Sequence, residues 1–205
     1  MTKGYPYITG EAPLILASES PRRKDLLEQA GIPFLSLPSN IDETLINGLS
    51  SCVARTLAEK KAMTAAEKIQ GRWILGADTI VVSDNNILGK PADEDEARSM
   101  LRLLSGKEHE VITGYCILYP SGNIACTDYE DTIVSIKALT EREIDFYIAS
   151  GEPFGKAGGY AIQGIGSFMV EGIKGSYSNV VGLPLCGLIK RLLDIGALKE
   201  YPSVF

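Results

Sequence analysis

The chain contains 205 residues, of which 45% are apolar and 22% are charged, and its formal net charge is −6. This length and apolar content suffice for one α/β domain, or for two lobes that share a core. The acidic balance argues against nucleic acid or an anionic membrane surface as a nonspecific partner. An anionic small molecule would need positive charge that is gathered locally. No apolar run approaches the ~18 residues that could cross a bilayer.

The four cysteines are widely spaced, and no two of them form a CxxC pair. This usage is typical of reduced thiols in the core of a cytoplasmic protein. The N-terminus has no hydrophobic segment of the kind found in signal peptides. We therefore expect a cytoplasmic location.

The first half of the chain predicts strands and helices in alternation. Predicted strands cover Leu14–Ala17, Pro33–Leu37 and the run RWILGADTIVV, and the segment SDNNILGKP that follows this run is predicted to be a turn. Ser20 can cap a helix that has Pro21 at its first position and Gly31 at its end. A second helix is predicted over about Ser51–Ile69, because apolar residues there recur at helical spacing.

Two capping signals mark helices in the second half. Asp93 is followed three residues later by Glu96, and the same spacing separates Thr140 from Glu143. The strands predicted between these helices are joined by the turn sequence PSGN and cover Glu110–Tyr119 and about Ala125–Ala138. Strands in this half are typical of an antiparallel meander, so the sequence predicts a mixed sheet.

From Gly151 to Gly182 the sequence is rich in glycine. Such a composition indicates backbone that approaches a ligand closely, or tight turns between short strands. A last helix is predicted from Pro184 to about Ile195.

Arg22 and Arg23 stand side by side in the first turn of the helix predicted to begin at Pro21. A helix N-terminus already carries about half a positive charge, so two arginines are unfavourable there unless an anion completes the site. Backbone amides combined with guanidinium groups are typical of phosphate binding. The alternative is a pair of solvated surface arginines.

Asp78 lies in the middle of a predicted buried strand, where a carboxylate needs a cationic partner, a metal or protonation. The alternative is an aspartate that caps a neighbouring element at a kink beside Gly76. Asp42 and Glu43 add oxygen ligands of the kind that Mg²⁺ prefers, although adjacent acidic residues in a loop are also typical of a solvated turn.

Lysines from three further segments are candidates for phosphate binding. Lys61 falls at the edge of an apolar helix face, where the alternative is a buried stem with its ammonium in water. Lys90 belongs to a GKP turn and Lys156 to the glycine-rich segment. His109 is interpreted as structural or surface, because no serine nucleophile motif accompanies it. These cations, combined with carboxylates from two other segments, suit a polyphosphate with Mg²⁺.

Taken in order, these motifs resemble those of the Maf family of nucleoside triphosphate pyrophosphatases. The matching segments cover nearly the whole chain: LASESPRRKDLL, IDE, AEKKA, LGADTIVV, LGKP, LSGKEHEVITG, LTEREIDFYIASGEPFGKAGGYAIQG and VVGLPL. The resemblance implies one domain over residues 1–205, with an N-terminal extension at residues 1–12. The implied fold is α/β, a mixed twisted sheet in two lobes around a deep nucleotide-binding cleft, similar to that of ITPases. Many family members are dimers, so a homodimer is expected.

The resemblance also implies hydrolysis of a nucleoside triphosphate to the monophosphate and pyrophosphate with a divalent cation, Mg²⁺ or Mn²⁺. Asp78 matches the family's proposed general base, and Glu43 together with Asp78 would hold the metal. The residues that match the family's substrate contacts are Ser18, Ser20, Arg22, Arg23, Lys61, Lys90 and Lys156.

Three positions resemble the subgroup that acts on dTTP and UTP. They are Arg22 directly after the proline, Thr79 after the aspartate, and Gln163 in YAIQG. The subgroup acting on 7-methyl-GTP carries tryptophan and glutamate at the first and last of these. A glutamine amide can both donate to and accept from a pyrimidine edge.

Two other functions compete with this interpretation. One is a non-catalytic, nucleotide-sensing regulator of cell division or septum formation, which would not need both Asp78 and Glu43. The other is a polysaccharide or acyl hydrolase, which the missing nucleophile motif and the lack of a suitable Ser/His pair argue against.

Overall fold

A computed structural model describes residues 4–39, 41 and 50–201 of the chain. Within these residues the chain forms seven strands and six α-helices. The strands are β1 (Leu14–Leu16), β2 (Phe34–Ser36), β3 (Ile74–Ser83), β4 (Asn86–Leu88), β5 (Glu108–Leu118), β6 (Ile124–Ile136) and β7 (Val170–Lys174). The helices are α1 (Pro21–Gln29), α2 (Ser50–Ala66), α3 (Glu94–Leu104), α4 (Glu141–Ala149), α5 (Tyr177–Val181) and α6 (Leu185–Asp194). Two short 3₁₀ segments cover Ala157–Gly159 and Ile165–Met169.

The strands form one hydrogen-bonded sheet in the order β2-β1-β3-β5-β6-β7, and β4 pairs with β3. β1 pairs in parallel with both β2 and β3, whereas the β3–β4 and β6–β7 pairs are antiparallel. The predicted mixed α/β fold is therefore confirmed.

The chain divides into two compact units. The first unit contains Met1–Asp78, Thr113–Glu130 and Gly182–Phe205, and the second contains Thr79–Ile112 and Asp131–Val181. Three strands, β3, β5 and β6, contribute one part to each unit. The single domain over residues 1–205 stays a prediction.

In the first unit, α2 packs closely on strand backbone through small residues. Ala58 and Ala62 on this helix are completely buried. A Cβ atom at Gly76 of β3 would lie 2.1 Å from the carbonyl oxygen of Ala58, and one at Gly114 of β5 would lie 2.4 Å from the carbonyl carbon of Ala54. Glycine is therefore required at both strand positions, because the helix backbone occupies the space of a side chain.

Residues 5–8 of the predicted N-terminal extension pack on other parts of the first unit. The Trp73 indole donates a hydrogen bond to the Pro6 carbonyl at 2.8 Å, and the ring of Tyr5 packs against Trp73 and Tyr119. The amide of Ile8 donates to the Ala197 carbonyl at 2.8 Å. These contacts attach residues 5–8 to the segment before β3, to the segment after β5 and to the segment after α6.

The second unit has its own apolar core, which includes Val81, Leu101, Val134, Tyr147 and Met169. The helices α3 and α4 that flank this core begin with the caps predicted from the sequence. Asp93 accepts from the Glu96 amide at 2.8 Å, and Thr140 and Glu143 form a complete capping box. On the outside, Arg102 forms an ion pair with Glu141 at 2.7 Å.

Two predictions from the sequence need correction. The segment SDNNILGKP was expected to be a turn, but it contains β4, and the hairpin reverses through Asp84 and Asn85 at φ +49° and +62°. All four cysteines are free thiols, but only Cys116 lies in the core, whereas Cys52 and Cys186 are exposed. The helices of the described residues include none that is long and apolar enough to cross a membrane.

Candidate active site

The loop after β1 brings Ser18 to the carboxyl edge of two parallel strands. Leu16 lies opposite Leu75 in the pairing of β1 with β3, so the register continues with Ser18 just before the level of Asp78. The Ser18 carbonyl accepts a hydrogen bond from the Ser36 hydroxyl at 2.8 Å, which ties the loop to β2. Ser20 occupies the predicted capping position of α1, but its side chain makes no capping hydrogen bond.

Arg23 is a buried arginine at the start of α1 and is only 8% exposed. Its Nε donates to the Gly182 carbonyl at 2.8 Å, and Nη1 donates to the Ser18 hydroxyl at 3.0 Å. The neighbouring Arg22 is half-buried, and the first turn of α1 contains no acidic residue. Two guanidinium groups thus add to the positive end of the helix dipole, an arrangement suited to an anion. The alternative of two solvated surface arginines is wrong for Arg23.

Lys61 and Asp78 form a buried ion pair. The ammonium of Lys61 on α2 lies 2.5 Å from Oδ1 of Asp78 on β3, and each residue is 7% exposed. The sequence required a partner for the carboxylate of Asp78, and this partner is the Lys61 ammonium. The alternative of a snorkelling lysine is wrong, because the charged end of Lys61 is itself buried.

The second unit carries the other four predicted substrate residues. Thr79 is half-buried in β3, and Lys90 is exposed in the turn after β4. Lys156 and Gln163 are half-buried in the glycine-rich segment. The amide of Gly158 donates to the Gly89 carbonyl at 2.9 Å, so the two segments that carry Lys90 and Lys156 are joined directly.

Two functional candidates in the second unit were missed by sequence reasoning. Tyr147 on α4 and Glu152, which follows that helix, make hydrogen bonds to the backbone around Gln163. Glycines at 164 and 166, directly after Gln163 in sequence, were the available signal, since such spacing indicates close backbone packing.

His109 has a structural position, in agreement with one of its two predicted roles. Its Nε2 lies 2.7 Å from the hydroxyl oxygen of Tyr160, and the two rings meet edge to face. Burial lowers the pKa of His109 to about 4. The imidazole is therefore neutral at neutral pH.

The residues predicted to hold a metal are only partly covered by the structure. Asp42 and Glu43 lie outside the described residues. Among the described residues, no group of three or more histidine, cysteine, aspartate or glutamate side chains could hold a metal ion. Asp78 supplies one carboxylate, the donor type that Mg²⁺ prefers. Mg²⁺ in nucleotide enzymes is commonly held by one or two carboxylates together with phosphates and water, so this donor chemistry fits a metal bound with its nucleotide.

Comparison with known proteins identifies the family of this chain. A relative from Ruminiclostridium cellulolyticum, "dTTP/UTP pyrophosphatase", is 53% identical over 84% of this chain and 90% of its own length. Relatives of the same name from Bacillus cereus and Syntrophotalea carbinolica are 51% and 45% identical, over 87% and 93% of this chain and 93% and 88% of their own lengths. A family model described as Maf-like protein matches residues 13–195. The chain therefore belongs to the Maf family.

Proposed function

We propose that this protein is a nucleoside triphosphate pyrophosphatase that hydrolyses dTTP and UTP to the monophosphate and pyrophosphate. The observation that carries the proposal is its similarity to relatives named dTTP/UTP pyrophosphatase over at least 84% of the chain. The buried Lys61–Asp78 pair and the arginine-lined start of α1 supply chemistry that this reaction needs.

The triphosphate binds where positive charge is concentrated. Arg23 is fixed by Ser18 and Gly182, so its guanidinium group is held in one orientation at the start of α1. Arg22 extends this cationic surface, and Ser18 and Ser20 line the same loop. Positioned cations and backbone dipoles neutralise the charge that develops on phosphate oxygens during cleavage.

Asp78 acts as the general base. Its carboxylate accepts a proton from a water molecule while the water oxygen forms a bond to the α-phosphorus. The bond between the α-phosphorus and the bridging oxygen breaks, and pyrophosphate leaves with the electron pair. Lys61 compensates the charge of Asp78 and keeps the carboxylate oriented within the site.

The family resemblance implies that the reaction uses a divalent cation, Mg²⁺ or Mn²⁺. When bound, it neutralises phosphate charge and polarises the phosphoryl oxygens. Asp78 and Glu43 would be its protein ligands, and the remaining ligands would be phosphate oxygens and water.

Gln163 recognises the base, and Thr79, Lys90 and Lys156 contribute further substrate contacts. The amide of Gln163 can pair with both a carbonyl and an N–H group of thymine or uracil. Following the family resemblance, the protein acts in the cytoplasm as a homodimer.

A panel of nucleoside triphosphates tests the proposal. Release of pyrophosphate is measured for dTTP, UTP, CTP, dATP and dGTP with Mg²⁺ or Mn²⁺. We expect dTTP and UTP to give the highest kcat/KM. Binding of these nucleotides without turnover would overturn the proposal in favour of a nucleotide-sensing regulator, and a preference for purine triphosphates would overturn the substrate assignment.

A further inference from the structure

Two side chains hold the backbone on both sides of Gln163. Before it in sequence, the hydroxyl of Tyr147 accepts a hydrogen bond from the Ala161 amide at 3.0 Å. After it, the carboxylate of Glu152 accepts from the Ile165 amide at 3.0 Å and from the Gly166 amide at 2.7 Å. Gln163 thus lies two residues from an anchored amide in each direction.

The two anchors are connected to each other. The hydroxyl of Tyr147 also forms a hydrogen bond with Glu152, so one hydroxyl joins the upstream and downstream anchors. Tyr147 is completely buried on α4, and Glu152 follows the end of that helix after Gly151 at φ +72°. The end of α4 therefore fixes both groups relative to the core of the second unit.

The chain closes tightly around these anchors. Gly164 adopts φ +79°, and a Cβ atom there would lie 2.2 Å from Oε1 of Glu152. A Cβ atom at Gly166 would lie 2.4 Å from the Ala161 carbonyl oxygen and 2.8 Å from the Tyr147 hydroxyl. Only glycine fits both positions, and the backbone of residues 161–166 is consequently restricted to one conformation.

The charge state of Glu152 strengthens the contacts. Burial would raise the pKa of this carboxyl, but hydrogen bonds from the amides of Gly166 and Ile165 and from the Tyr147 hydroxyl leave the pKa below its ordinary value. The carboxylate is ionised at neutral pH, so its hydrogen bonds are charge-assisted. The same residue holds Lys156, whose ammonium donates to the Glu152 carbonyl.

We propose that Tyr147 and Glu152 are positioning residues that hold Gln163 in place and thereby set the preference for thymine and uracil over purine bases. The effect on base preference rests on the proposed function, whereas the two-sided anchor stands on the geometry alone. Neither side chain needs to touch the nucleotide, because each acts through the backbone of residues 161–166.

The variants Glu152→Gln and Tyr147→Phe test the proposal. Glutamine keeps the size of Glu152 but loses its charge and one acceptor, and phenylalanine removes only the hydroxyl. In both variants we expect the KM for dTTP and UTP to rise about tenfold or more with a smaller change in kcat, because the base contact is misplaced. The ratio of kcat/KM between dTTP and dATP should fall by a similar factor.

Glu143→Gln is the matched control. It makes the same chemical change near the start of α4 and removes a carboxylate that bonds Thr140 and Lys137, but it leaves residues 161–166 untouched. We expect it to lower the melting temperature without changing the ratio of kcat/KM between dTTP and dATP. If Glu152→Gln leaves the ratio of kcat/KM between dTTP and dATP unchanged, the proposal is overturned and only a structural role remains.

Amide hydrogen exchange gives a readout that does not depend on activity. Peptides covering residues 161–166 should exchange faster in Glu152→Gln than in the wild type and in Glu143→Gln. Unchanged exchange would overturn the anchor whatever the kinetics show. If the wild type shows no preference for dTTP and UTP, the proposed function fails and the base preference fails with it, while the exchange data still decide whether the anchor exists.

Discussion

The ammonium of Lys61 and the carboxylate of Asp78 meet at 2.5 Å, and each residue is 7% exposed. The pair joins α2 to β3 at the edge where the loop after β1 carries Ser18. Charges this deeply buried are tolerated because each compensates the other, so removing one partner weakens the compensation of the charge that stays buried. The pair therefore links the proposed catalytic base to the stability of the first unit.

Replacing Asp78 with asparagine should remove activity and also destabilise the protein. We expect kcat for dTTP to fall by about 10³-fold or more, because the base is lost. The free energy of unfolding should fall by about 3 kcal/mol, because the buried Lys61 ammonium loses the carboxylate that lies 2.5 Å from it. Steady-state kinetics and urea unfolding measure the two effects.

The double variant Lys61→Met with Asp78→Asn separates the loss of activity from the loss of stability. With both charges removed, most of the lost stability should return, while turnover should stay absent. Wild-type-like kcat in Asp78→Asn would contradict its assignment as the base.

The two adjacent arginines should respond differently to substitution. Arg23→Lys should lower the free energy of unfolding by about 1–3 kcal/mol, because an ammonium cannot reproduce the forked contacts to Gly182 and Ser18. Arg22→Ala should lower stability less and should raise the KM for dTTP. Urea unfolding and steady-state kinetics on both variants provide the comparison, and equal stability losses would argue against separate roles.

Local signals in the sequence predicted most elements of the fold. These signals depend only on neighbours within one or two turns. They include Pro21 at the start of α1, the capping box of Thr140 and Glu143, and the spacing of apolar residues in α2. The hairpin through Asp84 was missed, because β4 has only three residues and its two turn residues also occur in ordinary loops.

Pairings between distant residues could not be predicted in the same way. Lys61 and Asp78 were both singled out, but nothing in their spacing indicated that they bond each other. The requirement for glycine at position 76 depends on where α2 crosses β3. Tyr147 and Glu152 were missed for the same reason, because their contacts with residues 161–166 exist only after the glycine-rich segment folds back on α4.

Gln163→Glu should change base preference. A carboxylate has two acceptor oxygens and no N–H donor, so it can no longer donate to a carbonyl of thymine or uracil. We expect kcat/KM for dTTP to fall more than kcat/KM for dGTP, whose base edge offers N–H donors to the new carboxylate. Kinetics with both triphosphates measure the change, and equal losses would count against recognition of the base by Gln163.

The buried imidazole of His109 should make stability depend on pH near neutrality. Burial lowers the pKa of His109 to about 4 in the folded protein, whereas an unfolded chain has a histidine pKa of about 6.5. As pH falls below the unfolded value, the unfolded state binds a proton that the folded state does not bind. The stabilising contribution is therefore complete above about pH 6.5 and is lost as pH falls toward 4. Between pH 7 and 5.5 the loss should be about 1 kcal/mol.

Urea unfolding at pH 7 and pH 5.5, for the wild type and for His109→Gln, measures this contribution. Glutamine does not titrate and can still form a hydrogen bond with the Tyr160 hydroxyl, so the variant isolates protonation from packing. The carboxyls with lowered pKa values, Glu143 and Glu152 among them, titrate below this window and affect both proteins equally. We expect the wild type to lose about 1 kcal/mol more than the variant between the two pH values. Equal losses in the two proteins would show that His109 gains its proton as readily in the folded chain as in the unfolded one.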